Sequence, residues 1–298
     1  LAFSTRHPAQ LVVPHTADEG GSKVARRSLK GKRILVTGAS SGIGRSLSLR
    51  LAQQGAYVLA TARRQERLEQ LQQEADQIRM EREGQLSILS GDVTQVADRQ
   101  RWQEWIGHHW GSLDGLVHNA GSGAIGPFLE APAQRARKVM EVDFFAVTDL
   151  TRELFALLRN GDQSFLLAVG SVLAHRAVPD KSEYCAAKFA LRGWCESVRV
   201  EWRTLGVEVI LVHPSTTRTE FFDRLIDTPS GTTSRSIGEA SADRVASSLM
   251  AAIRQRKRDV VLSAAGNLLL WANRISPSLL DRVLAKHRGK SAPPPSGK

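Results

Sequence analysis

The chain has 298 residues, 42% of them apolar and 24% charged; that is long for one domain, short for two, and excludes a wholly disordered polymer. Two cysteines, Cys185 and Cys195, exclude a disulfide scaffold and a cysteine-rich metal site, and no metal-ligating set stands out. The formal charge is +11, but the excess sits in residues 1–33 and 286–298, so a basic face for nucleic acid on the folded body is not indicated. The basic ends read as solvated tails, with contact to nucleic acid or anionic lipid as the alternative. No apolar run reaches membrane-spanning length. Residues 1–30 lack the apolar core and cleavage site of a secretory signal, which predicts a reducing, cytoplasmic setting.

Residues 1–30, with Gly20-Gly21-Ser22 and no sustained apolar period, predict a flexible arm. From there strand-like and helix-like stretches alternate. Strands are predicted at Arg33–Thr37, Tyr57–Thr61, Leu86–Leu89, Leu113–His118, Phe165–Val169, Val207–Val212 and Asp259–Leu262. Helices are predicted at Gly42–Gly55, Arg64–Glu83, Asp98–His109, Pro132–Leu158, Ser182–Leu205 and Ala240–Gln255. The strand runs lack period-2 polarity, as expected of a sheet covered on both faces. Serial β-α units then predict an α/β fold, a doubly wound parallel sheet of Rossmann type. Beyond it, Leu268–Trp271, Ile275, Leu279 and Val283 are interspersed with Arg274, Arg282, Lys286 and Arg288. This amphipathic extension, residues 265–290, packs on its own domain, on a partner subunit or weakly on a membrane surface. Residues 291–298, with three consecutive prolines, predict a disordered tail.

The first strand runs into Thr37-Gly38-Ala39-Ser40-Ser41-Gly42-Ile43-Gly44. Glycines between a strand and a helix start permit a tight turn and bring phosphates close to backbone amides at a helix N-terminus. The spacing is G-x-x-x-G-x-G, and mere tight packing is the competing explanation. At the end of the second strand, where an acidic residue would bind a ribose 2′-hydroxyl, stand Arg63 and Arg64. Two guanidiniums suit a 2′-phosphate, which favours NADP over NAD; a solvated helix start is the alternative. Further on, Tyr184 and Lys188 lie one helical turn apart. An ammonium there favours phenolate, so the expectation is a lowered tyrosine pKa and a usable proton donor. Ser171, at the carboxyl end of the fifth strand, can donate to the same substrate oxygen.

Taken together these stretches resemble the short-chain dehydrogenase/reductase family, of the single-domain Tyr-x-x-x-Lys type, over about residues 31–262. The resemblance rests on Thr37–Gly44, Asp92-Val93 after strand three, Asn119-Ala120-Gly121 after strand four, Ser171, Tyr184, Lys188, and Pro214 after strand six with Thr217 and Thr219 downstream. It implies a catalytic domain over 31–264. It implies adenine on Asp92 and Val93, and NADPH as hydride donor along Gly38, Ser40, Ser41, Gly42, Ile43, Gly44, Asn119, Ala120, Gly121, Pro214, Thr217 and Thr219. Tyr184 is then the acid or base, Lys188 holds the nicotinamide ribose, and Ser171 orients the substrate oxygen. A homodimer or homotetramer is also implied. The chain departs from the family's pattern at Asp143, where an asparagine usually completes a proton relay, at Ser215 and at His118.

Phe221, Phe222, Leu225 and Ile226, followed by a Ser/Thr-rich run to Ser236, fit a lid with an apolar inner side; these aromatics otherwise only pack the lid. The expected function is an NADP-dependent oxidoreductase acting on an apolar or lipid-like ketone or secondary alcohol. The alternative, motivated by Asp143, is a cofactor-binding regulatory protein with weak or no turnover.

Overall fold

A parallel strand buried on both faces needs apolar side chains in both registers of its pleat. β1 (Arg33–Thr37) meets that demand. Ile34 and Val36 join a core layer with Leu47, Leu51, Leu68 and Leu249, while Leu35 joins the opposite layer with Leu59, Trp102, Leu150 and Leu191. The structure, a computed structural model, describes residues 25–78, 85–228 and 239–287.

In chain order β1 is followed by α1 (Gly42–Gln53), β2 (Tyr57–Ala62), α2 (Gln65–Ile78), β3 (Gln85–Ser90), α3 (Val96–Trp110) and β4 (Gly115–His118). Then come α4 (Arg135–Met140), α5 (Ala146–Arg159), β5 (Phe165–Val169), α6 (Ser182–Glu201) and β6 (Glu208–His213). A two-residue ladder joins β7 (Thr217–Arg218) to β8 (Ala240–Ser241), and α7 (Ala242–Arg254), β9 (Asp259–Val261), α8 (Ala264–Ile275) and α9 (Pro277–His287) complete the body. The main sheet has seven parallel strands in the order β3-β2-β1-β4-β5-β6-β9. Strand order reverses between β1 and β4, so the crevice at their carboxyl ends is where such a sheet binds ligands.

The sequence predicts one helix over Pro132–Leu158; the structure divides it. α4 ends at Met140, a π-helical turn spans Glu141–Phe145, and α5 resumes at Ala146. A π turn inserts a residue and re-aims side chains, typically at functional sites. Here it carries the buried Asp143.

The body begins ahead of the boundary expected at residue 31. Arg27 is 1% exposed and Leu29 is buried. The Arg27 guanidinium donates to the carbonyls of Gln163 (3.0 Å) and Ile253 (2.9 Å), pairs with Glu208 at 2.9 Å, and lies over the Phe165 ring. A buried arginine needs such partners, and all of them are remote in the chain, so periodicity gives no hint of them. Residues 1–24 of the expected arm, the tail from 288 onward, residues 79–83 of the second predicted helix and the Gly231–Ser236 run lie outside the described residues. As far as residue 287, the 265–290 extension lies in α8 and α9. Arg176 ties it to the body through Asn273 (3.0 Å) and Asp281, while Leu268, Trp271, Ile275, Leu279 and Val283 remain exposed. No described helix is long and apolar enough to cross a membrane.

Candidate active site

The glycine turn is built as its spacing requires. Gly38 and Gly42 take φ of +68° and +57°, values that favour glycine. A Cβ on Gly38 would sit 2.7 Å from the Ala120 backbone, and one on Gly42 would sit 2.8 Å from Thr219. The turn is braced from β4. Thr37 Oγ1 donates to the Val117 carbonyl (3.2 Å) and accepts from the amides of Asn119 and Ala120, both at 3.1 Å. The Asn119 side-chain amide donates to the carbonyls of Thr37 (3.0 Å) and Gly38 (3.1 Å). Asn119 thus holds the turn first and reaches any ligand second. His118, where an asparagine is more usual, is buried, and its Nε2 lies 2.7 Å from Thr151 Oγ1. Thr151 already donates to the Val147 carbonyl (2.7 Å), so the His118 ring donates. Burial pulls its pKa down to about 3, which leaves it neutral.

A cleft of about 650 Å³ opens between this turn and the ends of β5 and β6. Its walls include every cofactor and catalytic residue expected from the sequence except Gly44 and Asp143, which stand behind the wall. Ser171, Tyr184 and Lys188 come together there. The Ser171 hydroxyl accepts from the Leu173 amide (3.1 Å) and bonds the Tyr184 side chain. Lys188 Nζ is 5.5 Å from the Tyr184 ring centre, donates to the Val169 carbonyl (3.3 Å) and pairs with Asp143 Oδ1 at 2.8 Å. The other Asp143 oxygen accepts from the Ser122 amide at 3.1 Å.

This electrostatic balance corrects the expectation of a lowered tyrosine pKa. Burial pushes the Tyr184 phenol up. Lys188 and the Ser171 bond pull it down, but the Asp143 carboxylate adds to the rise, and the net shift is upward. Lys188 is itself raised: burial lowers it, and Asp143 and Tyr184 more than restore it. Burial likewise pushes Asp143 up against the opposing pull of Lys188 and the Ser122 amide. At neutral pH the site therefore presents a protonated phenol beside a compensated ammonium.

At the carboxyl end of β2 the two arginines part company. Arg64 is pinned: Nε donates to Ser40 Oγ (3.2 Å), Nη2 to Ser41 Oγ (2.8 Å), and Nη1 meets Glu220 at 2.6 Å. Arg63 is largely exposed and only 3.8 Å from Asp92. Asp92 accepts from the amide and hydroxyl of Thr94, both at 2.9 Å. Across the cleft, Phe221 stacks edge-on to Tyr184 at 5.8 Å and to Phe222 at 5.5 Å, and Leu225, Ile226 and Leu269 extend the apolar wall.

Sequence reasoning missed three features. Arg135 forms a buried pair with Glu183 (2.8 Å), next to Tyr184, and donates to the Gly126 carbonyl. Glu220 ties the 219–226 segment to the glycine turn through Arg64. His175, His213 and Asp259 lie far apart in sequence but meet behind Ser171. Only Glu183 carried a signal, as a charge in line with Ala187 and Leu191 on the buried face of α6.

A doubly wound sheet with a strand-turn-helix phosphate cradle beside a Ser/Tyr/Lys cluster defines a dinucleotide-dependent oxidoreductase fold and site. Residues 32–229 match the family described as short chain dehydrogenase, and the chain belongs to that family. A dehydrogenase/reductase SDR family protein 7-like of Dictyostelium discoideum is 28% identical over 269 residues, 89% of this chain and 84% of that relative. The uncharacterized oxidoreductase YbbO of Escherichia coli strain K12 is 31% identical over 200 residues, 67% of this chain and 71% of YbbO. A short chain dehydrogenase from Burkholderia cenocepacia J2315, solved in complex with NADP, shares the fold with a TM-score of 0.71 and 24% identity, over 87% of this chain and 99% of that one. The protein is accordingly an NAD(P)-dependent dehydrogenase or reductase.

Proposed function

We propose that the protein is an NADP-dependent oxidoreductase that reduces an apolar or lipid-like ketone, or oxidises the corresponding secondary alcohol. One observation carries the reading: Ser171, Tyr184 and Lys188 meet on the wall of a cleft whose other wall is the positive-φ glycine turn. Residues 38–44 would hold a pyrophosphate, Asp92 and Val93 an adenine, and Lys188, Pro214, Thr217 and Thr219 the nicotinamide half. Arg64 and Arg63 would hold a 2′-phosphate, and the NADP bound in the Burkholderia cenocepacia structure supports that choice. When bound, the cofactor supplies or accepts the hydride. The residues handle the proton. Tyr184 gives its phenolic proton to the carbonyl oxygen in reduction and takes one in oxidation. The Ser171 Oγ donates to the same oxygen and stabilises its developing charge. Lys188 offsets the charge left on the phenolate. The raised Tyr184 is held in its acid form at neutral pH, the form that reduction uses.

Assembly as a dimer or tetramer belongs to the proposal; Phe145, Phe189 and Val200 are exposed on the α5 and α6 side. The second reading, a cofactor-binding protein with little turnover, is favoured by the Asp143–Lys188 pair, which compensates the ammonium Tyr184 needs. The test is NADPH consumption against a panel of apolar ketones. Tyr184→Phe should cost about 10²–10⁴-fold in turnover with NADP affinity kept. Undiminished activity of that variant overturns the mechanism. NADP binding by the wild type without turnover on any ketone supports the second reading.

A further inference from the structure

Directly behind the Ser171 backbone lies a polar cluster that the chemistry above does not use. His213, at the end of β6, is fully buried. Its ring packs so close to Gly170 that a Cβ there would fall 2.8 Å from Nδ1. Nδ1 lies 2.9 Å from the Ser171 carbonyl oxygen. A carbonyl only accepts, so Nδ1 carries a proton, and it is Nε2 that offers a lone pair to a ligand. That Nε2 is buried with no hydrogen-bond partner among the described residues. Asp259 Oδ1, from β9, is 3.2 Å away, a contact that helps hold the Asp259 carboxyl below its ordinary range. The His175 ring stands against His213 with centres 4.2 Å apart, and its Nε2 is likewise buried and unpartnered. One donor atom from each of the three residues lies within 4.8 Å of the others.

Two orphaned imidazole nitrogens and a carboxylate in one pocket are costly unless something sits between them. Two His nitrogens and one carboxylate oxygen form the donor set of a borderline divalent metal. Bonds of about 2.0–2.2 Å in a tetrahedron place ligand atoms roughly 3.3–3.5 Å apart. The His213–Asp259 distance of 3.2 Å is already near that value; from the 4.8 Å that bounds the cluster, the His175 ligand atom closes by at most about 1.5 Å. The Asp259 side chain is 33% exposed, which gives an access route from solvent. The His213–Ser171 bond is the outer contact that orients a ligating imidazole.

We propose that His175, His213 and Asp259 bind one divalent transition-metal ion of the zinc type, with water in the fourth position. Arg192 opposes it. Its Nη1 is 2.6 Å from His175 Nδ1, and its Nε is 2.7 Å from Glu196. A guanidinium only donates, so the metal-free His175 holds its proton on Nε2. Binding moves that proton to Nδ1 and displaces the guanidinium, whose side chain is 32% exposed and able to turn away.

The experiment uses the full, tag-free chain, stripped with chelator and titrated with Co²⁺, then with Zn²⁺ in competition. Expected are one equivalent bound and the visible bands of tetrahedral Co²⁺. Both are lost in His175→Ala and Asp259→Asn, which keep NADP binding as their check on folding. The double variant His108→Ala/His109→Ala, at an exposed histidine pair on α3, keeps the site. Arg192→Ala, with all three ligands in place, tightens binding about tenfold or more. This last arm decides even where a ligand variant fails to fold. No binding by the wild type, binding indifferent to His175 and Asp259, loss with the α3 pair, or unchanged affinity in Arg192→Ala each overturns the proposal. Metal titration reads nothing of hydride chemistry, so this test and that of Tyr184 fail separately.

Discussion

The two walls of the cleft are held by different means. The glycine-turn wall is backbone: positive-φ glycines and a lattice from Thr37 and Asn119 onto neighbouring peptide groups. The opposite wall, from Ser122 through Tyr184 to Ile226, is held by charged side chains paired across the chain: Asp143–Lys188, Arg135–Glu183 and Arg64–Glu220. Backbone geometry tolerates almost no substitution and demands particular residue types in sequence. Side-chain pairs tolerate substitution one partner at a time, at graded cost, and leave little local trace.

The sharpest way to break the comparison is at Gly38. Valine there would need a positive φ and a Cβ 2.7 Å from the Ala120 backbone, with no flexible atom to yield. Gly38→Val should abolish NADP binding, measured by calorimetry or fluorescence of bound NADPH, while the seven-stranded sheet still folds by circular dichroism. Retained affinity would show that the turn is packing and not a cradle.

On the other wall the largest effect falls on stability. Removing Arg135 leaves the Glu183 carboxylate buried without its partner, both side chains being 3% exposed. Arg135→Ala should cost about 3–5 kcal/mol in denaturant unfolding. Glu183 immediately precedes Tyr184, so turnover should also fall, while NADP affinity, whose pyrophosphate and adenine contacts lie on the first wall, should fall far less. Joint loss of both would mean that the walls are not independent.

These differences explain what the sequence allowed to be read. Strand runs such as Arg33–Thr37 and Phe165–Val169, the Thr37–Gly44 turn and the Tyr184/Lys188 spacing are local, and the structure places them as expected. The π turn at Glu141–Phe145 leaves a weak mark in the sequence: one inserted residue turns the apolar stripe by about 100°, and α4 ahead of it, with six residues, is too short to define a stripe to compare. The Arg27 clamp, the Glu220 tie and the His175–His213–Asp259 cluster depend on side chains brought together from remote segments. The sign of the Tyr184 shift was hidden for the same reason: Lys188 is visible one turn away, but the burial and the Asp143 charge that outweigh it are not.

Asp143 gives a finer test. Its charge raises Tyr184, so Asp143→Asn should lower the phenol's pKa. Alcohol oxidation needs the phenolate and should then switch on at lower pH; ketone reduction needs the phenol and should fall off at lower pH. Both limbs move in the acid direction. Asp143 also raises Lys188, and a shift of both limbs toward alkaline pH would mean that the carboxylate's real task is to keep that lysine charged.

The smallest expected effect lies where the walls touch. Arg64 spans them, bonded to Ser40 and Ser41 on one side and Glu220 on the other, with Arg67 3.8 Å from the same carboxylate. A 2′-phosphate approaching Arg64 has to compete with Glu220 for its guanidinium. Glu220 is part-exposed and held below the ordinary carboxylate range chiefly by its Arg64 bond, so it is ionised and a true competitor at neutral pH. Glu220→Gln removes the charge but keeps the shape. NADP should bind a few-fold tighter, within the 0–1 kcal/mol that surface ion pairs carry, and NAD, which lacks the 2′-phosphate, should be unaffected. Equal gains for both cofactors would move the effect from the phosphate to lid opening, and no gain for either would leave Arg64 a structural tie between the walls rather than the reader of the 2′-phosphate.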